Sequence, residues 1–153
     1  MNPVKKIPRP LYRKIHQVLP IVTVDLVIRK KNEFLLVKRN NDPKANRWYF
    51  PGGRILKDEK VKGAAIRKLK EEVGLIGENW KFLGFHEHFY DLKHSYFRGF
   101  SSHVISLVFM VDIKSGQKVT LDSQGSDYRW FRRVQKKFDS YHKQFLKLAK
   151  FGY

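Results

Sequence analysis

The chain has 153 residues, enough to bury a core and consistent with a single domain over 1–153, and its 32 lysines and arginines against 14 aspartates and glutamates leave a charge of +18. That surplus favours anionic partners through attraction and steering, without identifying them. The absence of cysteine excludes disulfides, thiolate metal sites and a cysteine nucleophile, and the lack of a membrane-length apolar run or a signal-peptide core makes a cytoplasmic protein with no membrane partner the expectation.

An N-terminal extension, residues 1–20, carries Pro3, Pro8, Pro10 and Pro20, with a short helical pattern of Leu11, Ile15 and Val18 between the last two. The runs from Val22 to Arg29 and from Phe34 to Arg39 are β-branched or apolar and are parted by a polar turn, which predicts an antiparallel pair. Trp48-Tyr49-Phe50 reads as a short strand feeding the turn Pro51-Gly52-Gly53, which can neither extend a strand nor enter a helix easily. From about Asp58, the residues Ala64, Ala65, Ile66, Leu69 and Val73 recur at helical spacing, and Gly74 falls where a C-terminal cap belongs. At about 100° per residue, Ile66, Leu69 and Val73 share one sector, and Ala64, Lys68, Glu71 and Glu72 are expected on the opposite side. Strands are predicted over Trp80 to Tyr90 and His103 to Ile113, with a long irregular loop between them, and a shorter one over Tyr128 to Phe131. Val134, Phe138, Tyr141, Phe145 and Leu148 step by four and three, which predicts a basic amphipathic helix over 134–153, packed on the domain's own sheet.

A glycine-rich turn followed by a helix bearing carboxylates is how hard cations such as Mg²⁺ are held, through one or two carboxylates, a backbone carbonyl and substrate phosphates. The spacing is also distinctive: Gly53, five residues, Glu59, seven residues, Arg67, then Glu71-Glu72, one residue, and Gly74-Leu75. This resembles the signature box of the Nudix hydrolases. One position departs from it, because Lys68 stands where the family usually has glutamate after the arginine. The resemblance implies an α/β fold, a Nudix-type α/β/α sandwich with a mixed β-sheet.

Beyond the box, the stretch FLLVKRNNDPKANRWYFPGGRILKDE, the segment EHFYD at Glu87 to Asp91 and QGSDYRW at Gln124 to Trp130 resemble the GDP-mannose mannosyl hydrolase branch of that superfamily, over roughly Ile21 to Phe131. In that branch water attacks the anomeric carbon of a nucleotide-sugar and nucleoside diphosphate leaves. The resemblance implies Mg²⁺ (or Mn²⁺) at the Gly52 carbonyl, Glu72 and Gln124, with Glu71 as a further candidate. It implies Arg39 and Arg54 at the diphosphate, where a planar guanidinium can pair phosphate oxygens and neutralise developing charge. Asp25, a carboxylate inside the apolar run VTVDLVI, matches a sugar-facing position, and His88 matches another site position. Glu59 and Arg67 are expected to form an ion pair bracing the box, alongside Gly53 and Gly74.

Two positions depart from the branch. It keeps a histidine, the general base, after the metal-binding glutamine, where this chain has Gly125; it keeps a tyrosine near the sugar, where this chain has Val104. Lys68, beside Glu71 and Glu72, should stay protonated and cannot readily replace that base. Loss of a general base typically costs about 10²–10⁴-fold in rate. Three readings therefore stand: a Mg²⁺-dependent hydrolase of a nucleotide-sugar with weakened or altered activity, an ordinary diphosphate-cleaving enzyme, and a catalytically impaired domain binding nucleotide or RNA. The basic and aromatic run from Lys93 to Phe100 would suit base stacking, although nucleic acid is not the favoured partner. Homodimerisation through the N-terminal segment stays open.

Overall fold

In the computed structural model, residues 6–40 and 46–153 are described. Pro3 of the N-terminal extension and residues 41–45 of the long resembling stretch lie outside the described residues. The elements run α1 (Arg9–Val18), β1 (Ile21–Lys30), β2 (Glu33–Arg39), β3 (Trp48–Tyr49), β4 (Gly52–Arg54), α2 (Val61–Val73), β5 (Gly77–Tyr90), β6 (Ser102–Ile113), β7 (Gly125–Phe131) and α3 (Ser140–Leu148).

All seven strands join one mixed sheet in the order β3-β2-β1-β6-β5, with β4 paired to β1 and β7 to β2. The β1–β6 pair is parallel, running from Ile21 beside Val104 to Arg29 beside Asp112. The other pairs are antiparallel. Alternation along β1 sends Val24, Leu26 and Ile28 into one core with Ala64, Ala65, Leu69 and Val73 of α2. Val27 faces the other way, into a second core with Phe138, Tyr141, Phe145 and Leu146. The sheet is thus covered by α2 on one face and α3 on the other, the expected α/β/α sandwich.

Three expectations are corrected. In α2, Ile66 is 48% exposed while Ala64 is buried, and the side chains of Lys68 and Glu72 are largely covered. The buried positions 64, 65, 69 and 73 and the half-buried 68 and 72 form an arc of roughly 180° with Glu72 near its middle, at about 100° per residue. Helix α2 lies against both β1 and the short strand β4, so the arc is wider than a single apolar seam and is rotated away from Ile66. The glutamate is aimed into the fold.

In α1, the stripe Leu11, Ile15, Val18 is not the packed face, since Leu11 and Val18 are exposed and the buried residue is His16. The helix docks through rings: His16 lies 4.5 Å from Tyr12, 5.0 Å from Tyr96 and 5.3 Å from Phe97. The C-terminal helix does not span 134–153. It starts at Ser140, where the Asp139 side chain caps it by accepting the His142 N–H at 3.0 Å. Val134 and Phe138 are buried all the same, held by a returning chain in which the Val134 N–H donates to the Gly152 carbonyl at 2.8 Å. Gly74 ends α2 in the left-handed region, φ 68°, as a C-terminal cap does.

Candidate functional site

The glycine turn is built by strand pairing. β4 runs antiparallel to β1 with Gly52 opposite Asp25 and Gly53 opposite Val24, and a Cβ at Gly52 would run into the Val24 carbonyl and the Asp25 carboxylate. Only glycine lets the two strands approach so closely. The Gly52 N–H donates to Oε2 of Glu72 at 3.0 Å, joining the turn to the helix. Behind them Arg67 braces the box: its guanidinium donates to both oxygens of Glu59 at 2.7 and 2.9 Å, to Glu71 at 2.9 Å and to the Arg54 carbonyl at 3.1 Å. Glu59 in turn accepts the Leu56 N–H at 2.9 Å.

Two continuous hollows open over this turn, and their chemistry differs. The deeper one, about 100 Å³, contains Asp25, Glu72 and Asp122 with Ser106, His88 and a group of tyrosines. The outer one, about 440 Å³, is a basic groove bordered by Lys6, Arg39, Arg54, Arg67 and Lys68, with Glu71 as its acid. Arg39, Gly52, Tyr96 and Gln124 border both. Of the residues singled out from the sequence, Asp25, Arg39, Gly52, Glu72, His88 and Gln124 therefore meet in the deep hollow, and Arg54 and Glu71 stand on the groove.

Glu72 is the most perturbed acid of the box. Burial pushes its carboxyl up to about 7, against the pull of Lys68 and the Gly52 N–H, and Asp122 adds to the upward push. Asp25 is likewise pushed up by burial, opposed by hydrogen bonds from Tyr141 and Ser106. Burial also raises the hydroxyls of Tyr49, Tyr90, Tyr96 and Tyr141, so all four remain protonated donors at neutral pH.

The deep hollow offers oxygen donors from the carboxylates of Glu72 and Asp122, the Gln124 amide and Gly52. Among the described residues, no three His, Cys, Asp or Glu side chains gather closely enough to cage a cation alone. A hard dication held here would complete its shell with water and phosphate oxygens, which is how Mg²⁺ is usually bound. The donor set fits Mg²⁺ or Mn²⁺. Such an ion would supply charge neutralisation and orientation at the diphosphate.

Reading the sequence missed several site residues. Asp122 belongs to a segment without regular structure, two residues before Gln124, whose N–H it accepts at 3.0 Å. Tyr141 belongs to the apolar stripe of α3, yet its hydroxyl bonds Asp25; an apolar periodicity hides a phenol whose far end is polar. His88 packs against Tyr141, with centroids 4.5 Å apart. By contrast His94 pairs with Asp91 in the exposed loop, and His103 pairs with Glu87 and stacks on Phe89. The aromatic loop from Lys93 to Phe100 spends two of its rings at home: Phe97 packs on α1, and Arg13 lies 5.1 Å from the Phe100 ring. Tyr96 packs on His16 of α1 and on Tyr90, and it also borders both hollows.

Residues 19–149 match the model of the NUDIX domain. The chain belongs to the NUDIX family. Its relatives include the low-salt glycan biosynthesis protein Agl8 of Haloferax volcanii, 32% identical over 95% of this chain and 92% of that protein. The ADP-ribose pyrophosphatase of Methanocaldococcus jannaschii is 39% identical over 64% of this chain and 54% of its own length. Among solved structures, the NUDIX domain of Shewanella oneidensis NrtR, complexed with ADP ribose, superposes with a TM-score of 0.69 at 20% identity, covering 94% of this chain and 97% of that one. The MutT NUDIX hydrolase of Burkholderia pseudomallei gives 0.67 at 24%, covering 85% and 96%. These two likenesses carry the NUDIX fold. No helix among the described residues is long and apolar enough to cross a membrane.

Proposed function

We propose that this NUDIX hydrolase is a Mg²⁺-dependent enzyme acting on a nucleotide-sugar, with water attacking the anomeric carbon and nucleoside diphosphate leaving. The observation that carries this reading is the pairing of two joined hollows of opposite chemistry, one a basic groove and the other a hydroxyl- and carboxyl-lined chamber. A ligand that fits both has an anionic diphosphate at one end and an uncharged polyol at the other. In this reading Arg39 and Arg54 neutralise charge on the departing diphosphate. Asp25, Ser106, Tyr90 and Tyr141 hydrogen-bond the sugar hydroxyls. Glu72, Gln124 and Gly52, with Asp122, hold the ion; His88 lies beside the sugar as the candidate base.

A second reading is favoured by one observation. Gly125 stands where the mannosyl hydrolase branch keeps its base, and a Cβ there would lie 2.7 Å from Cγ1 of Val37, so that base is missing and Val37 would have to shift to admit one. Attack at phosphorus, as in an ordinary NUDIX diphosphatase, then competes, and a relative named for ADP-ribose pyrophosphatase activity agrees with it. Hydrolysis of GDP-mannose and ADP-ribose in oxygen-18 water separates the two. Label in the sugar supports attack at carbon, and label in a phosphate product moves the chain to the diphosphatases. Absence of metal-dependent turnover with any such substrate would leave a nucleotide- or RNA-binding domain.

A further inference from the structure

The box carries a lysine where its neighbours are carboxylates, and the fold accommodates that lysine in detail. Lys68 Nζ stands 3.4 Å from Oε1 of Glu72 and 3.6 Å from Oε2 of Glu71, and its side chain is only 13% exposed. A Cβ on Gly53 would lie 2.5 Å from Lys68 Cε and 2.9 Å from Nζ, so the bare glycine is what lets the lysine stem cross the turn. The second oxygen of Glu72, Oε2, accepts the Gly52 N–H, and Oε2 of Glu71 is shared between Lys68 and the Arg67 guanidinium. A bridging ammonium between two carboxylates occupies the position, and supplies the charge, that a second cation would bring.

We propose that Lys68 is a tethered cation that takes one of two cation positions beside Glu71 and Glu72, so that the metal site of this chain accepts a single divalent ion. This rests on the metal-dependent reading above. Glu72 would hold the ion in competition with the ammonium, while Lys68 keeps its contact with Glu71 and its place on the basic groove that Arg54 also borders. There it serves the phosphates as a fixed monovalent charge. The chain thus exchanges one exchangeable ion for a permanent one, and its phosphate-binding charge persists at low metal concentration.

Metal binding can be measured apart from turnover. The metal-free full-length protein is titrated with Mn²⁺ alone, free ion being followed by electron paramagnetic resonance and heat by calorimetry. Wild type is expected to bind one Mn²⁺ per chain and Glu72→Gln none. Lys68→Met should bind that ion about tenfold more tightly, because the ammonium that competes for the Glu72 carboxylate has been removed. Lys68→Glu, which sets a third carboxylate beside Glu71 and Glu72, should raise the count to two. Lys68→Arg should keep the wild-type count. Thermal unfolding without metal confirms that each variant folds. Unchanged affinity in Lys68→Met together with one ion in Lys68→Glu overturns the tethered-cation role while leaving Mg²⁺-dependent turnover intact. Absence of Mn²⁺ binding in every form overturns the metal-dependent reading as well.

Discussion

Gly125 stands where the resembling branch keeps its general base. It opens β7 opposite Arg39, next to the irregularity at Lys38 and Arg39, and a Cβ there would sit 2.7 Å from Cγ1 of Val37. Val37 is a core residue that also lines the deep hollow beside Gly125, so a side chain at 125 has to displace Val37 before it can enter the chamber. Installing the histidine of the resembling branch, Gly125→His, is therefore expected to overpack the core and to leave the rate unimproved. The cost should be about 1–3 kcal/mol, seen as a fall of several degrees in Tm. Faster turnover with an unchanged Tm would show that the strand opens to let the imidazole reach the site. The aspartate at 25 is the opposite case. Its oddity in an apolar run was visible in the sequence, because a buried carboxylate needs partners, but the partners, Tyr141 and Ser106, come from 116 and 81 residues away and no local pattern announces them.

The elements differ in how far their roles can be read before folding. The first hairpin, the box helix and its glycine cap follow from local periodicity and turn chemistry, and they appear close to where the spacing puts them. The orientation of α2 does not, because it depends on β4 and β1 packing on one helix together. Nor does the docking of α1, whose apolar stripe is exposed while an imidazole is its buried contact. That contact carries a pH dependence. Burial lowers the His16 titration from the ordinary histidine value, and among the described residues neither ring nitrogen has a hydrogen-bond partner. Below about pH 6.5 the unfolded chain binds a proton there that the folded chain resists, so stability is lost as pH falls through that value. Wild type should therefore lose more Tm between about pH 7.5 and about pH 5.5 than His16→Leu does. Protease cleavage within α1 should increase over the same interval. An equal loss of Tm in both proteins would show that His16 is not the responsible group. Since Tyr12 and Tyr96 both border the groove, release of α1 would also loosen substrate binding.

Across the whole molecule, charge is sorted by depth. The chain carries +18, yet the acids Asp25, Glu72 and Asp122 gather in the deep hollow with Arg39 at its border, while Lys6, Arg54, Arg67 and Lys68 outnumber Glu71 along the groove. Such an arrangement draws an anionic ligand to the groove by long-range attraction and leaves recognition of its neutral end to short hydrogen bonds. The two contributions respond differently to salt, because the Debye length is about 10 Å at 0.1 M and about 3 Å at 1 M. For a nucleotide-sugar substrate, kcat/KM is expected to fall by about tenfold or less between about 0.02 and 0.2 M salt, with kcat nearly constant, since steering acts on encounter and not on the bound complex. A nucleic acid bound through six or more phosphates would instead lose about 10³-fold or more over a comparable range. Measuring both on the same preparation discriminates between them. A kcat/KM indifferent to salt would mean that the surplus charge lies away from the groove. A steep loss of RNA retention, with no turnover of any nucleotide-sugar, would assign the surplus charge to nucleic-acid binding.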